Sequence, residues 1–524
     1  MFDLIITNGT LIDGTRSPRY PADIGITSDK IIAIGDLSAS EAAARIDATG
    51  KIVAPGFVDV HTHSDGWMLN TPHLHCKTQQ GFTTEILMAD GISYAPVNPH
   101  TAREWIYYLR ALNGLRLDEY TGWESLADYM SLLDRRNVQN SMTHIPYANL
   151  RVIASGWGRP APDDFAMRYI QTMIAQGMDE GAVGLSTGMD YIAECFATTD
   201  ELVQACQAMS AQRGLYVTHV RYKRGTLAGV QEAVEIGRRA NVPVHISHLK
   251  ATTAAEAESI LTYIDRVAVH EVDFSFDVYP YVSSSTMLNY LLPYEVWERG
   301  PLAALSYLND PQIRARFAQS LSLLDLDNIH IAWLPGRDNA HHIGQTLSDY
   351  VAGTHQSAAD ALADLLIEER LAVLLVFRAA DDSLVAPFLQ HDKFMLGSDG
   401  IFFPDSRVHP AVHPRIAGSA PRLLGPCVRD HNLFSLEDAV YKLSGYPASR
   451  FGMLNRGIVR EGAFADITIF DAETITDAAT YDAPLQPTIG VTDVLVNGVP
   501  IITDSQPIDT LTDPLPGRYL RFNG

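Results

Sequence analysis

The first 55 residues alternate short apolar and polar positions in "DLIITNGTLID", "ADIGITSDKIIAIGDL" and "RIDATGKIVAPG", with turn residues between them, a pattern that predicts small antiparallel strands. The end of the chain reads the same way in "GIVREGAFADITIFDAE" and "GVTDVLVNGVPII", so residues 1–55 and 455–524 are expected to meet in one β-sandwich. Between 56 and 454 the rhythm changes. The apolar runs "GFVDVHTH", "TTEILMAD", "MTHIPYANL", "GAVGLSTG", "GLYVTHV", "VPVHISHLK", "VDFSFDVYPY" and "KFMLGSDG" are interspersed with amphipathic helical stretches such as "GVQEAVEIGRRAN". Strand and helix in alternation predict a parallel sheet. Eight such strands suffice to close an α/β fold of the (β/α)8 TIM-like kind, whose chemistry lies at the C-terminal strand ends. A ninth run, "LAVLLVFR" at 371–378, has no place in that count, and a helix is one reading of it. The stretch from about 284 to 345 is long for a connection and is expected to form a lid or insertion over the site.

Composition narrows the class. A hydrophobic share of 46% and a charged share of 19% suit a globular protein, and no apolar run reaches the roughly 18 residues of a membrane span. The opening "MFDLIITNGTLIDG" reads as strand and turn, not as a signal peptide, so a cytoplasmic location is expected. Four scattered cysteines without a CxxC pair argue against a disulfide framework or a thiolate zinc knuckle. A net charge of -23 with no basic run disfavours nucleic acid and anionic membranes, and an anionic small substrate would need cations placed inside the site.

Candidate chemistry starts at "FVDVHTHSD" (57–65). Residues two apart on a strand share a side, so His61 and His63 project together and make half of a divalent metal site. A lone His-x-His pair is a weak signal. It gains weight because His219 in "YVTHVR", His248 in "HISHLK" and Asp399 in "LGSDG" also end apolar runs. Imidazole nitrogen and carboxylate oxygen suit zinc or a similar ion. By the same reasoning His73 and His75 read as peripheral, His245 as facing the helix layer, His341 and His342 as lid residues, and His144 as a neighbour of the site.

"APGFVDVHTH", His219, His248, "GSDG" and the two β-rich ends together resemble the amidohydrolase superfamily of metal-dependent hydrolases. "GAVGLSTGMDY", "THVR", "VPVHISHLKA", "FDVYPY" and "VHPR" resemble more narrowly the D-aminoacylases, the N-acyl-D-amino-acid deacylases. The resemblance implies a barrel with a sandwich built from both termini, zinc as one or two ions, and hydrolysis of an amide bond. One departure stands out. Where these enzymes carry a metal-binding cysteine in Asn-Cys-Gly, this chain has Asp90 before Gly91, a harder donor whose two oxygens could bridge two ions and which admits other divalent metals. The alternative reading makes Asp90 a turn residue. With Asp90 as ligand, the first ion falls to Asp90, His219 and His248, and a second to His61 and His63 with Asp399.

Asp399 is then the expected general base and acid. Lys250 is expected to meet a substrate carboxylate. The resemblance adds Arg415, Tyr281 and Tyr191 as substrate contacts, and Arg221, two residues beyond His219, is a further candidate anion binder. A small-molecule substrate carrying a carboxylate follows. The alternatives are hydrolysis of another C–N bond, in a cyclic, hydantoin-like amide or an N-carbamoyl compound, and a barrel that has lost catalysis and serves as a scaffold. Acyl group, side chain and oligomeric state are not legible at this level.

Overall fold

The computed structural model describes residues 1–379, 381–401 and 411–523. Its centre is a parallel barrel whose strands are β1 (Phe57–Asp59), β2 (Phe82–Leu87), β3 (Asn140–Thr143, continued by Ile145–Pro146), β4 (Gly184–Gly188), β5 (Leu215–His219), β6 (Val244–Ile246), β7 (Phe274–Val278) and β8 (Phe394–Leu396). β1 pairs with β2 and β2 with β3, while Ile145–Pro146 pairs with β4 and the ladder continues through β5, β6 and β7 to β8. A parallel bridge between Thr62 and Gly400 closes the ring, supported by the Asp399 amide donating to the His61 carbonyl at 2.8 Å. All eight expected runs are barrel strands.

Apolar residues plug the lower barrel. Val58, Val60, Ile86, Met142, Leu215, Val217 and Met395 meet Ala448, Phe451 and Met453 in one buried cluster. The Phe451 ring lies 6.0 Å from that of His144 and 5.4 Å from that of His245, so both imidazoles point into the barrel. His245 therefore does not face the helix layer. The β6 strand ends at Ile246 and His248 takes a left-handed φ of 35°, which breaks the alternation on which that expectation rested.

Both ends of the chain share a nine-stranded sheet in which Ile52–Pro55 pairs antiparallel with Ile467–Phe470. It curls over a separate apolar cluster that includes Leu4, Ile6, Ile24, Ile26, Val53, Ile467 and Leu495. The last residues leave this sheet: the amides of Leu520 and Phe522 donate to the carbonyls of Ser141 and Gly181 beside the barrel.

The inserted segment is longer than its pattern suggests. Ser284–Met287, Ile329–Trp333 and Leu374–Phe377 form a three-stranded antiparallel sheet with Leu374–Phe377 in the middle. The ninth apolar run is thus a central strand and not a helix, and Leu374, Leu375 and Val376 are buried.

Candidate metal centre and active site

Six polar groups converge at the C-terminal mouth of the barrel. His61 and His63 follow β1, Asp90 sits in the turn after β2, His219 closes β5, His248 follows β6 and Asp399 follows β8. Asp90 is at their centre. Its Oδ1 lies 3.5 Å from His61 Nε2 and 3.5 Å from His248 Nε2, and its Oδ2 lies 3.7 Å from His63 Nε2 and 3.8 Å from His219 Nδ1. Among the described residues neither Asp90 oxygen has a hydrogen-bond partner, nor has His61 Nε2, although all are buried. A buried carboxylate left without donors is costly unless a cation compensates it. The donor atoms form two groups, His61–His63–Asp90 and Asp90–His219–His248, each within 4.8 Å. Asp90 lies in the turn Ala89–Gly91 with its carboxylate among the imidazoles, and imidazole and carboxylate donors fit zinc.

Local backbone aims three of these groups. Asp90, His248 and Asp399 adopt φ values of 57°, 35° and 49°, left-handed conformations costing on the order of 1 kcal/mol each for a residue with a Cβ. The His248 turn is held by its amide donating to Asp277 Oδ1 at 2.8 Å. Gly91 follows Asp90 with φ 69°, and a Cβ there would meet Glu194 Oε1 at 2.1 Å, so glycine is required.

Each histidine also has an orienting partner on its other side. His63 Nδ1 lies 3.0 Å from Asn113 Oδ1, His248 Nδ1 3.3 Å from the Tyr222 hydroxyl, His61 Nδ1 3.7 Å from Asp277 Oδ2 and His219 Nε2 3.6 Å from Asp190 Oδ2. Such partners fix ring orientation and are worth 10–100-fold in metal affinity. Asp277 also accepts from His245 Nε2 at 2.9 Å, and Asp190 from the hydroxyls of Tyr294 at 2.7 Å and Tyr290 at 3.2 Å. The reading of the sequence missed both acids. The signal for Asp277 was available: a lone carboxylate inside the buried run "FSFDV" must have partners. In Asp277→Asn the new amide would confront His61 and His245 in place of a carboxylate oxygen. Zinc affinity is expected to fall about 10–100-fold with the far-UV circular dichroism unchanged, as competition with a chelator would show.

Asp399 lies beside the first pair, with Oδ1 3.2 Å from His63 Nε2 and 3.8 Å from His61 Nε2, outside the two tight donor groups. Its Oδ2 is 3.0 Å from Arg415 Nη2. Burial alone would raise its pKa, but the Arg415 guanidinium and the neighbouring imidazoles hold the carboxyl well below the usual carboxylate range.

Above these groups is a cavity of about 170 Å³ whose floor includes His63, His219, His248 and Asp399. Lys250 and Tyr191 line it, as expected from the sequence. The Lys250 ammonium lies 5.3 Å from the centre of the Tyr222 ring, and the Tyr191 hydroxyl is 3.3 Å from Thr286 Oγ1 on the inserted sheet.

Three expected substrate contacts are not among the described residues that line this cavity. Arg415 is fully buried beside Asp399, stacked 4.4 Å over the Tyr279 ring and donating to the Ser285 carbonyl at 3.2 Å, while its Nε and Nη1 have no hydrogen-bond partner among the described residues. Tyr281 gives its hydroxyl to Asp477 at 3.1 Å under the Arg422 guanidinium and does not line the cavity. Arg221 is spent inside the protein: it pairs with Glu232 at 2.8 Å and donates to the carbonyls of Met189, Cys195 and Ala197, pinning the loop after β4.

Comparison with known proteins agrees with this geometry. The sequence model of the amidohydrolase family matches residues 44–300 and 336–502. D-aminoacylase of Alcaligenes xylosoxydans xylosoxydans is 34% identical, with 95% of this chain and 94% of the relative covered. N-acyl-D-glutamate deacylase of the same organism is also 34% identical, with 99% and 96% covered. Among solved structures, N-acyl-D-glutamate deacylase from Bordetella bronchiseptica, complexed with zinc and a phosphonate inhibitor that mimics the reaction's tetrahedral intermediate, aligns with a TM-score of 0.83 at 32% identity over 99% of both chains. A family model spanning most of the sequence and relatives aligned nearly end to end leave one assignment: the chain belongs to the amidohydrolase family, among its D-aminoacylases.

Proposed function

We propose that the protein hydrolyses the amide bond of N-acyl-D-amino acids, releasing a carboxylate and the free amino acid, with zinc held by His61, His63, Asp90, His219 and His248. The observation that carries this reading is Asp90, a buried carboxylate with no donor of its own set among four histidines beneath a cavity that holds Asp399 and Lys250. Zinc, when bound, supplies Lewis acidity that lowers the pKa of water from 15.7 to roughly 7 and polarises the amide carbonyl.

The chain's own residues do the rest. Asp399 is oriented by Arg415, which holds Oδ2 and leaves Oδ1 toward the histidines. The ionised carboxylate accepts the proton of the attacking water. Because Arg415 and the neighbouring imidazoles favour its ionised form against the opposing effect of burial, protonated Asp399 is a strong acid and returns the proton readily to the amide nitrogen, which must leave as an amine. Lys250, the one lysine or arginine among the described residues lining the cavity, supplies a cation for the substrate's α-carboxylate. Tyr191, its ring 4.9 Å from that of His219, walls the reacting amide.

The test is chiral chromatography of racemic N-acetyl amino acids incubated with zinc-loaded protein. The D enantiomers are expected to disappear and the L enantiomers to remain. Consumption of neither, with hydrolysis of a hydantoin or N-carbamoyl compound instead, would replace the deacylase reading.

A further inference from the structure

We infer that Lys77, buried behind the seam where β8 meets β1, is a positioning residue that sets Asp399 for proton transfer; the inference rests on the deacylase reading above and the role it gives Asp399. Lys77 lies on the short helix His75–Thr78, between β1 and β2, and is fully buried. Its ammonium donates to Asp59 and, at 2.6 Å, to the Ser398 hydroxyl, with Glu85 Oε1 4.0 Å away. Replacing a buried ion pair by apolar side chains of similar volume is often neutral or stabilising, so its use here points to something other than stability. What it supplies is direction.

The bonds converge on the turn that carries Asp399. Asp59 Oδ1 accepts the Ser398 amide at 2.8 Å and the His61 amide at 3.3 Å, and Oδ2 accepts both the Lys77 ammonium and the Ser398 hydroxyl. The same hydroxyl accepts the Gly400 amide at 3.1 Å. Ser398 and Gly400 are thereby fixed on either side of Asp399, whose φ of 49° persists only where its surroundings over-determine it. Gln80 extends the brace to the other side of the carboxylate. Its side-chain amide donates to the Ile416 carbonyl at 2.7 Å and its Oε1 accepts the Ala420 amide at 3.2 Å, both on the helix Arg415–Arg422 that supplies Arg415. Residues 77–80 thus hold the turn bearing Asp399 and the helix bearing its guanidinium partner. Loss of the Lys77 charge leaves Asp59 a buried carboxylate without that cation and the Ser398 hydroxyl short of one donor, and the turn relaxes. A shift of about 1 Å in a reacting group is worth on the order of 100-fold in rate.

The experiment is a double-mutant cycle of Lys77→Met and Asp399→Asn, read as zinc content, KM and kcat of the zinc-loaded proteins on an N-acetyl-D-amino acid. Lys77→Met is expected to keep its zinc and a KM within about 3-fold of wild type while kcat falls about 10–100-fold. In the Asp399→Asn background, where residual turnover still depends on zinc but no longer on proton transfer by that carboxylate, the same substitution should change kcat by less than about 2-fold. A general loosening of the site would instead cost the same factor in both backgrounds. Ser398→Ala, which removes only the hydroxyl, makes the same test should Lys77→Met not fold. An unchanged kcat in the folded variant, an equal loss in both backgrounds, or a rate loss accounted for by lost zinc would overturn the role of Lys77 and leave the deacylase reading standing. A wild-type protein that turns over no N-acyl-D-amino acid would overturn both.

Discussion

Asp399→Asn is expected to keep its metal and lose its turnover, with kcat down by about 1,000-fold or more. The residue stands outside the two groups of mutually close donor atoms, so its loss leaves His61, His63, Asp90, His219 and His248 in place. An amide is isosteric with the carboxylate and could still sit against His63, but it neither accepts the proton of water nor returns one to nitrogen. It also strands the Arg415 guanidinium, whose Nε and Nη1 already lack partners among the described residues, in a fully buried position. Measured zinc content and single-turnover rates separate the two effects. Near-normal turnover in the asparagine variant would remove Asp399 from proton transfer, and loss of metal along with activity would make it a ligand first.

Asp90→Ala has the opposite signature, loss of metal as the primary event. Orienting partners alone are worth 10–100-fold in affinity, so removing the group that faces all four histidines should weaken zinc binding by more than about 100-fold. The four imidazoles would remain clustered without an anion among them. Asp90→Cys supplies the complementary result. It restores the type of donor found at this position in the D-aminoacylases, and zinc binding should survive while tolerance of harder ions such as manganese declines. Alanine and wild-type proteins with equal zinc content would return Asp90 to the role of a turn residue.

How far these residues could be read in advance depended on what kind of constraint each obeys. The barrel strands were legible because a parallel strand buried on both faces must be an uninterrupted apolar run, and His61, His63, His219, His248 and Asp399 were legible because polar groups closing such runs have few other reasons to be there. The inserted sheet misled for the same reason. Its central strand Leu374–Phe377 is also buried, so it carries an apolar run without being part of the barrel. Side-chain direction by alternation failed where the strand ended: β6 stops at Ile246, and His245 turns inward despite its parity.

The basic residues show a further limit. Arg221, Arg415 and Lys250 are all near the site, yet the first two pair with Glu232 and Asp399, and of the three Lys250 alone lines the cavity. Partner choice is a long-range property: Arg221 pairs with a residue on the following helix, and Arg415 with the end of β8, neither encoded in the local pattern. Asp190 and Asp277 went unseen because they stand behind the imidazoles of His219 and His61, and nothing in the spacing of a single acid announces which imidazole it will meet.

The most direct measurement is a titration of metal-stripped protein with zinc, following ions bound per chain and release of D-amino acid from an N-acetyl-D-amino acid in the same samples. Turnover that appears only as zinc binds, and that Asp90→Ala fails to develop at the same zinc concentration, is the predicted result. Full turnover by the metal-free protein, or zinc bound with no hydrolysis of any N-acyl-D-amino acid, would contradict it.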